Sequence, residues 1–489
     1  MADPFDSGGT VVHVTGQSRD QLALIPTTLN EAVSADHPVR VIDGFVDSLD
    51  LRGMGFSRVV AEEMGRPSYA PDDLLKLYIY GYVNRVRSSR ALEREAKRNV
   101  EMMWLVRGLT PAFKTIADFR KDHPKAIVEV CRNFIQFCRE LSLVGGTLIA
   151  IDGTKIQAVA SHKQVITPTN VAKKMAALDG KIAAHLAAMD QADQEEQKDG
   201  VAAMDKAAVA EALRVLREKR EKAQQHADRL AAQELSQLVL TEPEAKLMRT
   251  ARHGHQVAYN AQTVVDADNK LIVAFDLINE GNDQRQLHPM AVQAKQALEV
   301  EQITAVADAG YSNGEHGQCC ENDGITAIVP RHETVNPEGE QYFSRDRFSY
   351  DACSDSWQCP AGETLTCREV LHTERKKKYW SNACGGCAFK PQCTPATKRL
   401  VVRHFYEDAR EAMHQRAARN PAWMKRRREI VEHPYGTIKW MLGYPRFLVK
   451  GLKKAKAELA LAIMGYNLKR VLNILGVAAV LQALQPLPN

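Results

Sequence analysis

The sequence predicts a mixed α/β fold, in which a helical N-terminal region precedes a sheet broken by two insertions and closed by C-terminal helices. Three observations predict it. Apolar residues recur at three- and four-residue spacing between about residues 40 and 140. The period then falls to two in short runs at 147–156, 260–265, 271–278, 303–307 and 326–329. Two stretches of different composition interrupt those runs, one rich in Ala, Gln, Glu and Lys, the other in Cys. Strand–strand–strand–helix–strand–helix–strand is the order of a mixed sheet, not a doubly wound one. The expected divisions are 1–140 (helical, a DNA-binding candidate), 141–335 (the first part of the sheet domain, interrupted by a helical insertion at 168–240), 336–399 (Cys-rich) and 400–478 (C-terminal helices).

In the helical region, Leu74, Leu77, Tyr78 and Gly81 share a face of a helix over 71–84, and Leu92 and Ala96 share one over 89–98. The pattern continues from Thr115 to Cys138 through Ile116, Phe119, Ile127, Cys131 and Phe134. Arg85, Arg87, Arg90, Arg94, Lys97 and Arg98 sit among these helices. They form either a helix-turn-helix-like DNA reader or the solvated face of an ordinary bundle. In the strand runs, Asp266–Asn269 supplies a hairpin turn between the second and third, and a helix fits 286–298. The first insertion reads as a helical hairpin. Met175, Leu178, Ile182 and Met189 keep a seven-residue register in its first half. Val209, Leu213, Leu216, Ala223 and Leu230 do so in the second, and Gly200 marks the turn. Contact with DNA, contact with a second subunit and a passive role all remain open for it. Two long helices close the chain, a basic one over 421–439 and one over 455–477 with Leu459, Ile463, Tyr466 and Ile474 on its apolar face.

The 489 residues carry a net charge of +5, but unevenly. From Thr397 to Arg470 there are 18 Lys and Arg against 6 Asp and Glu, leaving −7 for the remainder. A basic block beside a near-neutral body points to a polyanion partner or to a solubilising face. No apolar run reaches membrane-spanning length, and the polar, acidic stretch Met1–Thr10 does not read as a secretory signal. The expectation is a cytoplasmic protein with no membrane partner. In a reducing compartment, the six cysteines between Cys353 and Cys393 point to metal rather than disulfides.

Three acids stand out. Asp152 interrupts the apolar run Leu148-Ile149-Ala150-Ile151, and Gly153 follows it. A carboxylate among buried aliphatics is costly unless paired or metal-bound. Asp308 repeats the pattern in Ala305-Val306-Ala307-Asp308-Ala309-Gly310-Tyr311. The two meet if their strands are neighbours; each alone also reads as a strand-end cap. Glu432 lies on the basic helix one turn beyond Arg428, with Lys439 seven residues on. That group reads as a metal-binding acid flanked by phosphate-binding cations, or as a solvated salt-bridge face. Among the cysteines, Cys359, Cys384, Cys387 and Cys393 form the best tetrahedral zinc set, with Cys353 and Cys367 as substitutes. Such a zinc would hold a loop too small for its own core. Arg375, Lys376, Lys377, Lys378, Tyr379 and Trp380 read as a DNA contact or as a solvated hairpin tip.

These residues resemble the catalytic acids of DDE transposases with an RNase H-like fold, specifically the insertion-sequence 1182 family. That family's Tyr-x2-Arg-x3-Glu-x6-Lys signature is met by Arg428, Glu432 and Lys439, with Lys425 at the Tyr position. The contexts IDGTKI and ADAGY are similar to the family's first and second acids. So are Tyr259-Asn260-Ala261-Gln262 and Asn279-Glu280-Gly281-Asn282-Asp283 between them, and RPSYAPDDLLKLYIYGY and FKTIADFRKDH near the N-terminus. The likeness runs from about residue 20 to 475. It implies an RNase H-like catalytic core whose Asp152, Asp308 and Glu432 bind two Mg²⁺ (or Mn²⁺) ions, and a structural zinc on the four cysteines. Phosphodiester chemistry builds negative charge on oxygen, which two divalent ions roughly 4 Å apart can stabilise. The implied reaction is cleavage at the ends of a bacterial insertion sequence, then in-line attack of the freed 3′-hydroxyl on target DNA. Arg428 and Lys439 would hold flanking phosphates, with Lys425, Arg426 and Arg427 as further DNA contacts. A homodimer or larger assembly on nucleoid DNA is expected. A nuclease of the same fold without mobility, and a zinc-containing DNA-binding regulator with inactive acids, are the competing readings.

Overall fold

The computed structural model describes residues 28–60, 68–199, 206–250, 254–331, 342–441 and 446–485. The N-terminal helices are α1 (Pro38–Asp47), α2 (Pro71–Val83), α3 (Ser89–Arg98), α4 (Val100–Leu105), α5 (Phe113–Asp122) and α6 (Pro124–Glu140). Their starts are written locally. Proline occupies the first turn of α1, α2 and α6, where a missing N–H costs nothing. Ser88 and Asn99 cap α3 and α4 by accepting from backbone N–H groups. The continuous apolar pattern from Thr115 to Cys138 is in fact two helices, because Pro124 restricts His123 and begins a new one.

The central sheet contains β1 (Leu148–Gln157), β4 (Lys246–Thr250), β5 (Gly254–Asp266), β6 (Ile272–Ile278), β7 (Ile303–Val306) and β8 (Ile325–Ile328). Its order is β4-β5-β1-β7-β8, with β6 also beside β5. β1 runs antiparallel to β5 and parallel to β7, and β7 runs parallel to β8. The five strands expected from alternation are present; β4 and the extension of β5 back to Gly254 were not foreseen. Asp266, at the expected hairpin turn, is buried and accepts from the N–H groups of Gly145, Gly146, Asp268 and Asn269.

Helices cover both faces of the sheet. On one side lie α9 (Leu287–Leu298) and α10 (Gly314–Asn322). Leu287, Met290 and Ala294 there pack on Ile149, Ile151 and Ala305. On the other lie α13 (Ala422–Met441) and α14 (Leu452–Leu475), whose Ile430, Val431, Tyr435 and Ile463 join a core with Ala150 and Ile156. α12 (Glu407–Arg419) precedes α13, and α15 (Val477–Leu484) follows α14. α13 passes through Pro434 without stopping. β6 has a free edge, and Asn467 of α14 meets it, accepting from Ile272 N–H and donating to Ile272 C=O, both at 3.0 Å.

The first insertion is a helical hairpin of α7 (Pro168–Asp199) and α8 (Lys206–Ala232), with the two-residue strands β2 (Val165–Ile166) and β3 (Leu238–Val239) pairing at its base. Val171, Leu230 and Leu238 seal that base. Gly200, the expected turn, lies outside the described residues. The Cys-rich stretch departs from expectation. It holds β9 (Ser349–Asp351), β10 (Ser356–Gln358), β11 (Thr364–Leu371), β12 (Lys376–Trp380), the short helix α11 (Lys390–Cys393) and β13 (Val401–His404). The strands form a five-stranded antiparallel sheet, and Phe348, Trp357, Leu365, Tyr379 and Val401 give it a core of its own. Aromatic side chains of this size bury enough apolar area to fill one face of so small a sheet. β13 also carries this region past residue 399, where the sequence suggested the Cys-rich stretch would end.

Candidate active site

Strand register places the first two acids side by side. On the parallel pair β1–β7, Ile149 lies opposite Ala305 and Ala150 opposite Val306. Two residues further on come Asp152, still within β1, and Asp308, just past the end of β7. Neighbouring strands are about 4.8 Å apart, which brings the two acids close enough to share one cation. The guanidinium of Arg427, from α13, lies between them. Its Nη2 is 2.8 Å from Asp152 Oδ1 and 3.3 Å from Asp308 Oδ2.

Each acid is held by local backbone. Asp152 accepts from the N–H of Gly153 at 2.8 Å. Asp308 accepts from Gly310 N–H at 2.8 Å and so caps the tight turn Ala309–Tyr311. Burial pushes the Asp152 carboxyl up to about 6; Arg427 opposes that rise, and the charges of Asp308 and Asp283 add to it. Tyr435 ties α13 to the site: its hydroxyl donates to the Asp152 carbonyl and accepts from Thr263 Oγ1 at 2.9 Å.

The opposite face of β1 is also polar. Gly153 pairs with Gln262 and Lys155 with Asn260 on β5. Asn260 and Gln262 are both buried, and each donates to Asp283 Oδ1 at 2.7 Å. Lys155 Nζ stands 3.4 Å from the same oxygen. Tyr311, just past Asp308, donates its hydroxyl to Gln262 Oε1. The sequence quoted these residues only as motifs. Their signal was present in Tyr259-Asn260-Ala261-Gln262, where amides alternate with apolar residues in a strand buried on both faces.

The structure does not join Glu432 to this group. Glu432 is exposed on α13 and makes no ion pair or side-chain hydrogen bond among the described residues. It does share an exposed helix face with Arg428 and Lys439, as their spacing requires. Lys425 and Arg426 are exposed too, with Arg426 3.9 Å from Glu429. Lys439 lies over the Tyr435 ring, 5.6 Å from its centre. Arg427 differs from the DNA-facing role expected for it: it is buried and turned inward to the two aspartates. Ile430, Val431 and Tyr435 define the inward face of the helix, and Arg427, one turn before Ile430 and Val431, falls on it.

Among the described residues, no three or more His, Cys, Asp or Glu side chains are drawn together closely enough to hold a metal as they stand. The chemistry around β1 nevertheless suits a hard cation. Asp152 and Asp308 offer carboxylate oxygens, and the buried Asn260 Oδ1 has no hydrogen-bond partner. In the Cys-rich sheet, Cys359, Cys384, Cys387 and Cys393 line one small cavity beside Phe348 and Leu365. Burial raises the Cys393 thiol, and the other three thiols add to the rise. Cys353 is exposed, and Cys367 lies on β11 outside the cavity. An all-thiol set at the edge of a small sheet fits a structural zinc.

The other predicted cations are mostly held within the chain. Arg375 pairs with Glu315, Lys376 with Glu374, Lys377 with Asp355 and Lys378 with Glu369. Tyr379 is fully buried, so it is not a stacking platform. In the N-terminal helices Lys97 pairs with Glu93 and Arg98 with Glu95, Arg90 lies over Phe113, and Arg87 reaches the buried Glu458.

Two family models match the chain. One, described as Transposase domain (DUF772), covers residues 27–122. The other, described as Transposase DDE domain, covers residues 358–472, which include the four clustered cysteines, Arg427, Arg428, Glu432 and Lys439. Together they support a DDE transposase; Asp152 and Asp308 lie outside both matches. No curated protein matches. Among solved structures, a piggyBac transposase synaptic complex with hairpin DNA matches at 7% identity, covering 92% of this chain and 79% of that one. The TM-score of that match is 0.33.

Proposed function

We propose that this chain is a DNA transposase of the insertion-sequence 1182 type, acting as a homodimer or larger assembly in the bacterial cytoplasm. It binds the terminal inverted repeats of its element and performs metal-dependent strand cleavage and strand transfer. One observation carries the reading: Asp152 on β1 and Asp308 just past the end of the adjacent parallel strand β7 are bridged by a single guanidinium. Two carboxylates at this separation, half-withdrawn from water, repel each other unless a cation lies between them. The strand order supports an RNase H-like core: three antiparallel strands (β6, β5, β1) continue into two parallel ones (β7, β8). Glu432, carried on the helix that packs over β1, is the third acid of the proposal.

Asp152 and Asp308 would hold Mg²⁺ or Mn²⁺, with Glu432 joining them once its side chain turns in from the exposed face of α13; the ion would supply activation of the attacking oxygen and charge stabilisation at the leaving one. The protein's own groups do the rest. The Asp308 turn and the Asp152–Gly153 contact fix the two carboxylates before substrate arrives. Arg428, Lys439, Lys425 and Arg426 present positive charge to phosphates along the exposed face of α13. Arg427, between the two acids, would balance their charge in the metal-free protein. Cys359, Cys384, Cys387 and Cys393 hold zinc and fix the accessory sheet.

The test uses purified full-length protein and DNA ending in the element's inverted repeats. Mg²⁺-dependent nicking at the repeat end and joining to target DNA are expected from the native chain. Asp152→Asn is expected to reduce nicking to background while leaving repeat binding within a few-fold of native. Cleavage by the variant at the native rate would refute the assignment. Cleavage without joining would identify a nuclease.

A further inference from the structure

We propose that Asp283, together with the unpartnered carbonyl oxygen of Asn260, forms an additional oxygen wall of the divalent-cation site, packed against β1 at Gly153. This rests on the reading of Asp152 and Asp308 as cation ligands.

Three features point there. First, Asp283 is fixed with one oxygen spare. Its Oδ1 takes Asn260 Nδ2 and Gln262 Nε2 at 2.7 Å each and Lys155 Nζ at 3.4 Å. Its Oδ2 has no hydrogen-bond partner among the described residues. That oxygen faces the Asp308 turn: a Cβ placed on Gly310 would stand 3.9 Å from Asp283 Oδ2 and 2.9 Å from Asp308 Oδ1. Second, Asn260 is fully buried, and its Nδ2 donates to Glu280 C=O at 3.2 Å as well as to Asp283. Those two acceptors set the orientation of the amide, so the atom left over is Oδ1, and it has no partner. A buried acceptor without a donor costs about 1–3 kcal/mol, and a cation or its bound water would satisfy it. Third, this group packs directly on β1, which only a glycine at 153 allows. A Cβ there would stand 2.5 Å from Gln262 Nε2, 2.9 Å from Asp283 Oδ1 and 3.2 Å from Asn260 Oδ1. Any side chain would therefore collide with this group and push it off the strand.

The oxygens of Asp152, Asp308, Asp283 and Asn260 suit Mg²⁺ or Mn²⁺ and discriminate against softer metals, while Gln262 Nε2 and Lys155 Nζ hold Asp283 through its other oxygen. Lys155 on one side and Arg427 on the other balance the charge while no cation is bound. Asp283 is a positioning residue in this scheme. It orients the cation's hydration shell and, through Gln262 and Tyr311, the turn that carries Asp308.

Two measurements on the full-length chain test this. In the first, native protein is loaded with Fe²⁺ and treated with ascorbate and hydrogen peroxide, so that hydroxyl radicals cut backbone near the ion. Cuts are expected at 152–153, at 308–310 and also at 281–284. Cuts at the first two places alone would overturn the present inference and leave the Asp152–Asp308 site standing; no cut at any of the three would overturn both. In the second, Mn²⁺ binding is titrated by electron paramagnetic resonance. Asp283→Asn is expected to weaken it about tenfold or more, the usual cost of losing a residue that supports a metal ligand, and Asp283→Glu to recover part of that loss. Unchanged affinity in a folded Asp283→Asn protein would overturn the inference. If that variant does not fold, the iron cuts on native protein decide.

Discussion

Arg427 holds together a pair of acids that would otherwise repel, and this makes it a residue whose removal a divalent cation should correct. Its partners are only partly withdrawn from water, with the Asp152 side chain 22% and the Asp308 side chain 45% exposed. The loss on Arg427→Met is therefore expected to be about 1–2 kcal/mol, below the usual cost of breaking a buried pair. Mg²⁺ should raise the melting temperature of the variant more than that of the native chain, because binding to the folded state stabilises it by linkage. Equal shifts in the two proteins would count against the site. A second residue-scale prediction concerns His414, whose Nε2 lies 2.8 Å from Ser312 Oγ. Burial, then the charges of Arg410 and Arg331, push its imidazole down to about 4, against a weaker opposing pull from Glu407. The unfolded chain takes up this proton as pH falls through about 6.5, whereas the folded chain resists until about 4. Stability is thus lost as pH drops between those values, by roughly 2 kcal/mol at pH 5. Urea titrations at pH 7.5 and 5 should give a smaller difference for His414→Gln than for the native chain. Neither role could be read from sequence. Asp152 and Asp308 announced themselves as lone acids in apolar strands, but the partner of each was set by which strand lies beside which.

The elements were read more easily than their company. Alternation located β1, β5, β6, β7 and β8, and three- and four-residue apolar spacing located α2 and α3, because these signals act within a few residues; α4 was not foreseen. The helical face of Arg428, Glu432 and Lys439 was legible for the same reason, since spacing alone fixes it. Arg427 was grouped with them only because its neighbours are also cations; Ile430, Val431 and Tyr435 carried the contrary signal of an inward face. The Cys-rich region failed differently. Its strands are short, down to three residues in β9 and β10, and cysteine spacing hid the aromatic residues that build a core there. That core changes what zinc should do. A sheet already packed around Trp357 and Tyr379 does not need metal to exist, so the four thiols should clamp one end of it. Cys387→Ser, or dialysis against a strong chelator, is expected to release about one zinc per chain and expose 381–399 to protease. The sheet itself should survive, with Trp357 fluorescence retaining its buried emission. Loss of that emission on zinc removal would show instead that the metal holds the whole region.

At the scale of the molecule, the boundary drawn near residue 140 does not separate two cores. Leu75, Tyr78 and Tyr82 of α2 and Phe134 of α6 belong to the same apolar cluster as Ile272 and Phe275 of β6, Tyr435 of α13 and Ile463 and Tyr466 of α14. α14 is the common element. It is buried on nearly every side, because the N-terminal helices cover one flank and β6 the other. The chain thus makes its last long helix the interior of a body whose other half was made first. Sequence hid this because an apolar stripe states that a face is covered, not by what. Glu458 marks the seam: fully buried on α14, it accepts from Leu448 N–H at 2.8 Å and lies 3.5 Å from Arg87 of the N-terminal region. A fragment beginning at residue 141 would uncover one flank of α14 and leave Glu458 without Arg87. Each large aliphatic side chain so exposed forfeits about 1.5–3 kcal/mol, and a handful of them exceeds the ~5–15 kcal/mol by which a domain is usually stable. The fragment is therefore expected to aggregate, or to stay in solution only as a loosely packed state that binds a hydrophobic dye. The intact chain should lose the signals of its N-terminal helices and its central sheet in one calorimetric transition. A soluble 141–489 fragment that melts cooperatively would mean the two halves fold independently, and α14 would then need some other cover for that flank.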